Sequence, residues 1–153
     1  SFSEDKTKNY LNREINGKNM ITDNETLLRL VIAALIGGII GFERGKVHKP
    51  AGLRTHMLVS IGSALFTILS FGVFADDPAR IIAGIVTGIG FLGAGTIFRA
   101  KEHVKGLTTA ASLWAVSAVG IGVGLGEYLL VVVSTVIILL VLELNRIEFF
   151  REI

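Results

Sequence analysis

Gly88-Ile89-Gly90-Phe91-Leu92-Gly93-Ala94-Gly95 is the stretch whose reading decides the fold. Its glycines sit inside a run from Ile81 to Phe98 that carries no charge. Gly88-x-Gly90-x-x-Gly93 has the spacing of a dinucleotide fingerprint. That fingerprint needs a strand before it, a helix opening at it and an acidic residue about 20 positions on. Apolar flanks on both sides supply none of this. The run reads as a membrane helix whose glycines let a neighbouring helix approach closely. A second option stays open: so many glycines can break or widen a helix and free carbonyls to line a cavity.

Working outward, the composition agrees with a membrane protein. Of 153 residues, 51% are hydrophobic and only 18% charged, against about 25% charged in soluble domains. The net charge of +2 is too small to suggest a nucleic-acid partner. The sequence has no cysteine, which excludes disulfides, thiolate metal sites and a cysteine nucleophile. Residues 1–26 form a polar tail of mixed charge without the apolar region of a signal peptide.

Five apolar stretches follow: 27–42, 57–75, 81–98, 107–125 and 128–144. Each is close to the 17–25 residues that cross a bilayer as a helix. The expectation is an all-α integral membrane protein with five transmembrane helices spanning 27–145, then a short cytoplasmic end at 146–153. Arg44, Lys46, Lys49 and Arg54 lie in the first gap, and Arg99, Lys101 and Lys105 in the third. Arg146 and Arg151 follow the fifth stretch. By the positive-inside bias these regions are cytoplasmic, which puts the N-terminus outside and the C-terminus inside.

A short repeat runs through the first four stretches. Phe42-Glu43-Arg44 and Ile97-Phe98-Arg99 close the first and third; Ala51-Gly52-Leu53-Arg54-Thr55 and Lys105-Gly106-Leu107-Thr108-Thr109 open the second and fourth. Both copies point the same way. They predict two parallel helical-hairpin repeats about a pseudo-twofold axis along the membrane normal, with the fifth helix outside the repeat. Gly52 and Gly106 are read as sharp turns, and Thr55 and Thr109 as caps of the following helices.

Of 18 glycines, 17 lie between Gly37 and Gly126. Gly37-x-x-x-Gly41 and Gly84-x-x-x-Gly88, continued through Gly90, Gly93 and Gly95, predict close packing of the first helix on the third. The same residues, with Thr87, are the candidates for a pathway wall. At depth the polar groups are Ser63, Thr67, Thr87, Thr96, Ser112 and Ser117, read mainly as interhelical hydrogen bonds. Trp114 is read as a packing residue, and Arg29 as a group that reaches outward to the interface.

Ionisable residues cluster at the cytoplasmic helix ends. Glu43, Arg44, Arg54, Thr55, His56, Arg99, Thr108 and Thr109 all project to one level. Two readings stand: structural ion pairs with headgroup contacts, or a polar mouth that binds an anion, a partner or a proton. Metal ligands are weak, with only Asp76, Asp77 and Glu43 as candidates. No cofactor is expected. No nucleophile, base and orienting group can be assembled, so no enzyme activity is expected.

These residues resemble the MgtC/SapB family of prokaryotic inner-membrane proteins. The resemblance rests on Gly37-Gly38-Ile39-Ile40-Gly41-Phe42-Glu43-Arg44, on Ala51-Gly52-Leu53-Arg54-Thr55-His56, on Thr87 to Ile97, and on Gly106-Leu107-Thr108-Thr109-Ala110-Ala111-Ser112-Leu113-Trp114. They occur in the family's order over about Leu30 to Val141. The resemblance implies a role in adaptation to low magnesium, acid or intracellular life. For some members it implies inhibition of the proton-translocating ATP synthase. Many members carry a soluble cytoplasmic C-terminal domain, to which no part of this sequence corresponds. Two functions follow as expectations: a regulatory protein acting by helix contacts in the lipid bilayer, or a transporter or channel for magnesium, protons or another small ion. Magnesium requires octahedral oxygen ligands, and no carboxylate is expected at mid-membrane. Glycine faces left over after folding would favour a homodimer; the sequence does not decide it.

Overall fold

The structure is a computed structural model, and it describes residues 23–73, 77–100 and 103–144. Its elements are α1 (Asp23–Lys46), α2 (Leu53–Gly72), α3 (Pro78–Ala94), β1 (Phe98–Ala100), β2 (His103–Lys105), α4 (Leu107–Leu125) and α5 (Tyr128–Glu143). Helices α1, α2 and α4 are long and apolar enough to cross a membrane. With 17 and 16 residues, α3 and α5 reach about 25 Å and 24 Å at 1.5 Å per residue, short of the hydrocarbon thickness of about 30 Å.

The helix ends follow from local chemistry. Pro78 opens α3, where its missing N–H costs nothing, and the Asp77 carboxylate accepts from the Arg80 amide at 3.2 Å. Helix α4 ends at Gly126 in the left-handed region (φ +82°), and the Glu127 amide returns to the Gly122 carbonyl at 3.0 Å. That reverse bond is the Schellman pattern. It turns the chain directly into α5.

Three sequence expectations are corrected here. α1 begins at Asp23, so it takes in the last residues assigned to the tail; residues 1–22 and 145–153 lie outside the described residues. α2 begins at Leu53, which brings Arg54, Thr55 and His56 into its first turn. α3 stops at Ala94, and the run to Phe98 leaves the helix at Gly95. Phe98–Ala100 then pairs antiparallel with His103–Lys105, so a two-stranded hairpin joins α3 to α4. Four glycines near a helix end favour that exit, because glycine is a poor helix former by about 1 kcal/mol.

α2 and α4 pack on each other, running in parallel. α1 touches both, and α3 touches both from the other side. Exchanging hairpin α1–α2 with hairpin α3–α4 leaves this neighbour pattern unchanged, as the repeat predicts. The axis of that exchange runs between α2 and α4. The predicted packing of α1 on α3 is not formed; the α1 glycines face α2 instead. A Cβ on Gly37 would lie 2.7 Å from Ser60 Cβ, and one on Gly41 would lie 2.9 Å from His56 Cβ. From the opposite side, Gly120 presses on Ser60 and Ser63, and Gly124 on Ala64 and Thr67. Two glycine pairs thus grip α2. Inside lipid, such close backbone approach is what holds helices together.

α5 lies in the cleft between α1 and α4. Val131 joins the cluster of Ala33, Val119 and Val123, and Leu142 joins Ile40 and Val116. Large apolar side chains cover the outside of the bundle, Phe91 (85% exposed) and Leu129 (81%) most fully. A soluble protein does not present such a surface. A bilayer satisfies it.

Candidate functional site

The end of the bundle holding the last turn of α1 and the first turns of α2 and α4 gathers the buried polar groups. Glu43 and Arg44 are both buried. Arg44 donates to Glu43 through Nε and through Nη2, the latter at 2.8 Å, and its Nη2 also reaches the Leu142 carbonyl at 3.3 Å. Leu142 lies in the last turn of α5, where carbonyls lack intrahelical partners. A cation there also offsets the negative end of the helix dipole. Arg44 therefore ties α1 to the end of α5, and Glu43 balances its charge.

His56 is fully buried under Gly41, with Nδ1 3.0 Å from the Gly52 carbonyl and Nε2 3.1 Å from Ser112 Oγ. A carbonyl only accepts, so Nδ1 carries a hydrogen. Ser112 has one hydrogen and two acceptors, since its Oγ also lies 2.8 Å from the Thr109 carbonyl. It can donate to a neutral ring at Nε2, or turn to Thr109 and accept from a doubly protonated ring. Hydrogen-bond partners for either ring state are thus in place.

The predicted mouth is thus split in two. Glu43, Arg44, His56 and Thr109 are buried in the bundle end. Arg54, Arg99 and Thr108 are exposed, and Thr55 is half-buried. Thr55 and Thr109 do not cap their helices; Gly52 and Gly106 occupy the cap positions without side-chain bonds. Of the two turn glycines, Gly106 alone is left-handed (φ +92°), and a Cβ there would run into the Thr96 carbonyl oxygen. Gly52, at φ −111°, needs no glycine conformation.

From His56 a polar line continues along α2 through Ser60, Ser63, Thr67 and Ser70, all buried. Ser63 bonds Ser117 of α4 at 2.9 Å, while Thr67 and Ser70 bond carbonyls of their own helix. Ser60 Oγ has no partner among the described residues. Ser60 and Ser70 were not singled out from sequence, although spacings of four, three, four and three residues put the whole line on one helical face. At the other end, Arg29 is buried rather than reaching outward. It donates to the Gly124 carbonyl at the end of α4 and pairs with Glu25.

The glycines of α3 behave differently from those of α1. Gly84, Gly88 and Gly90 are exposed, with nothing within 4 Å of a Cβ built on them, and only Gly93 packs inward, against Ala110. Thr87 is exposed and bonds the Ala83 carbonyl. Gly95 lies past the helix as its cap. Gly84 and Gly88 form one wall of a groove of about 540 Å³ between α2 and α3, with Leu58, Gly62 and Phe66 on the facing wall and Arg80 at its rim. Trp114 is 54% exposed, so it faces outward and is not a core residue.

Among the described residues no group of three or more histidines and carboxylates could hold a metal. Of the weak candidates, Glu43 is bound to Arg44, Asp77 caps α3, and Asp76 lies outside the described residues.

The model of the MgtC family matches residues 30–148. The chain belongs to the MgtC family. Among curated relatives, YhiD of Escherichia coli K12, named "Putative magnesium transporter YhiD", is 47% identical over 83% of this chain and 63% of its own length. MgtC of Salmonella typhimurium LT2 is 47% identical over 74% of this chain and 49% of its own. MgtC of Brucella abortus is 50% identical over 74% and 48%. The chain therefore spans between about half and just under two thirds of the length of these MgtC-family relatives. No solved structure matches it. The family match covers both halves of the buried bundle end, from Glu43 and Arg44 to Thr109 and Ser112.

Proposed function

We propose that this MgtC-family chain is a regulatory protein of the prokaryotic inner membrane, acting in adaptation to low magnesium, acid or intracellular stress. It works by helix contacts with a membrane complex such as the proton-translocating ATP synthase, and it carries out no chemistry of its own. One observation carries the reading: the buried charges brace the bundle. Arg29 holds the end of α4, Arg44 holds the end of α5, and Glu43 neutralises Arg44. Charges that serve an ion path usually face that path; here they are fixed to helix ends and to each other. The open groove on α2 and α3 supplies a contact face. All five helices cross the membrane in this reading, with N-terminus outside and C-terminus cytoplasmic. Arg54, Arg99 and Lys105 at the bundle end of His56 support that orientation.

A second reading, transport of protons, magnesium or another small ion, has its own support. The line His56–Ser60–Ser63–Thr67–Ser70 runs about 21 Å along α2 at 1.5 Å per residue. The name of the YhiD relative points the same way.

Two measurements separate the readings. The tagged chain, purified from native membranes in mild detergent, is expected to bring down a membrane complex. The same protein in liposomes is expected to move neither magnesium nor protons. Flux that scales with protein and is lost in Glu43→Gln or Arg99→Ala, without a co-purifying complex, overturns the regulatory reading.

A further inference from the structure

The fifth helix fills one of two related clefts. It packs between α1 and α4. Exchange of the two hairpins carries that cleft onto the space between α3 and α2, which is the open groove. The register that sets Arg44 on Arg99 sets Ala33 on Gly88, and the register that sets Gly52 on Gly106 sets Gly62 on Val116. Ala33 and Val116 belong to the clusters that hold α5. Gly88 and Gly62 line the groove. The same fold thus presents a helix seat twice, and among the described residues α5 fills only one of them. From Arg80 to Leu92 the empty seat is about 18 Å long at 1.5 Å per residue.

From this we infer that the groove between α2 and α3 seats the α5 helix of a second copy of this chain. Charge and shape select that occupant. Arg80 stands at the groove's rim with its side chain 83% exposed, and Asp77 reaches it only at 3.5 Å. Glu127 directly precedes α5, is exposed, and lies at the same end of the bundle, beside the Gly126 turn that covers Arg29. With copies side by side in one orientation, Glu127 of one meets Arg80 of the next. Below it, Leu129, Val133, Val136 and Leu140 form an exposed ridge on α5 at the spacing of a helix-packing seam. The ridge faces the flat wall of Gly84 and Gly88. The symmetric alternative, groove against groove, sets Arg80 against Arg80, and like charges in register oppose pairing. The contact is therefore head to tail and builds a ring or a row in the membrane plane.

This rests on the contact reading in one respect, that the groove takes a helix; it names the helix. The chain has no cysteine, so disulfide trapping is clean. Two differently tagged versions of the full chain, one Gly88→Cys and one Val133→Cys, are co-expressed and oxidised in native membranes. Space at Gly88 is open, so the substitution leaves the fold intact, which circular dichroism of each variant checks. The expected product is the mixed 88–133 disulfide, with little 88–88 product, reduced at least severalfold by Arg80→Glu and restored when the partner carries Glu127→Arg. Predominant 88–88 product overturns the head-to-tail seat. A cross-link from the Gly88→Cys thiol to a different membrane protein, with none to Val133→Cys, overturns the inference but leaves the contact reading standing. No cross-link from that thiol to anything overturns both.

Discussion

Glycines of one chain, in one kind of helix, should respond to alanine with opposite signs. At Gly37 a new Cβ lies 2.7 Å from both the His56 carbonyl oxygen and Ser60 Cβ, where nonbonded carbons prefer about 3.5–4.0 Å. α1 must retreat by about 1 Å. α2 cannot yield, because Gly120 presses on the same turn from the other side. Overpacking of this kind costs about 1–3 kcal/mol, offset by the roughly 1 kcal/mol that alanine gains over glycine in a helix. Gly37→Ala is expected to lose up to about 2 kcal/mol on balance. Gly88→Ala meets nothing within 4 Å and keeps the propensity gain, up to about 1 kcal/mol of added stability. The assay is reversible unfolding in mixed micelles dilute enough to keep the protein monomeric, with the denaturant slope checked for constancy. Equal effects at the two sites, or destabilisation at Gly88 alone, would refute the packing argument.

Other expectations follow from the buried contacts. Arg44→Ala leaves the Glu43 carboxylate buried without its partner and should cost about 3–5 kcal/mol; adding Glu43→Gln should recover much of it, and a double mutant that is no better than the single rules out the pairing. Gly106→Ala combines a left-handed backbone with a clash on Thr96 and should lower stability by about 1–3 kcal/mol, whereas Gly52→Ala, with 3.6 Å of clearance, should cost less; thermal melts in micelles compare them. Trp114 is the single tryptophan, so brominated lipid should quench the protein's fluorescence strongly. Unquenched emission would mean that Trp114 is shielded from the acyl chains.

The helices were legible because charge is so unevenly distributed. Leu107–Leu125 is bounded by Lys105 and by a glycine pair, and its predicted and observed limits agree. The repeat was legible in the positions of Arg44, Arg99, Gly52 and Gly106. Partner choice was not. Gly-x-x-x-Gly says that a helix face is flat, not which helix lies on it, so Gly37 and Gly41 were assigned to α3 when they belong to α2. The hairpin after Ala94 was hidden because Ile97 and Phe98 extend an apolar run past the point where glycine ends the helix. Trp114 and Arg29 were misassigned for one reason: depth along a helix can be counted from sequence, but the direction a side chain faces depends on neighbours far along the chain. At the bundle end, Glu43, Arg44 and His56 were found by their charge. The bond from His56 to Ser112 spans 56 residues and leaves no local trace.

The two arginines of α1 set an order of events for assembly. Arg29 waits for a carbonyl 95 positions away and Arg44 for one 98 positions away. At roughly 5–20 residues per second of synthesis, about 5–20 s separates the emergence of each cation from that of its partner. During that interval Glu25 and Glu43 balance the two cations from within α1, and only the bonds to the ends of α4 and α5 are missing. The bundle therefore closes late, when α5 arrives, and the last helix made completes the first.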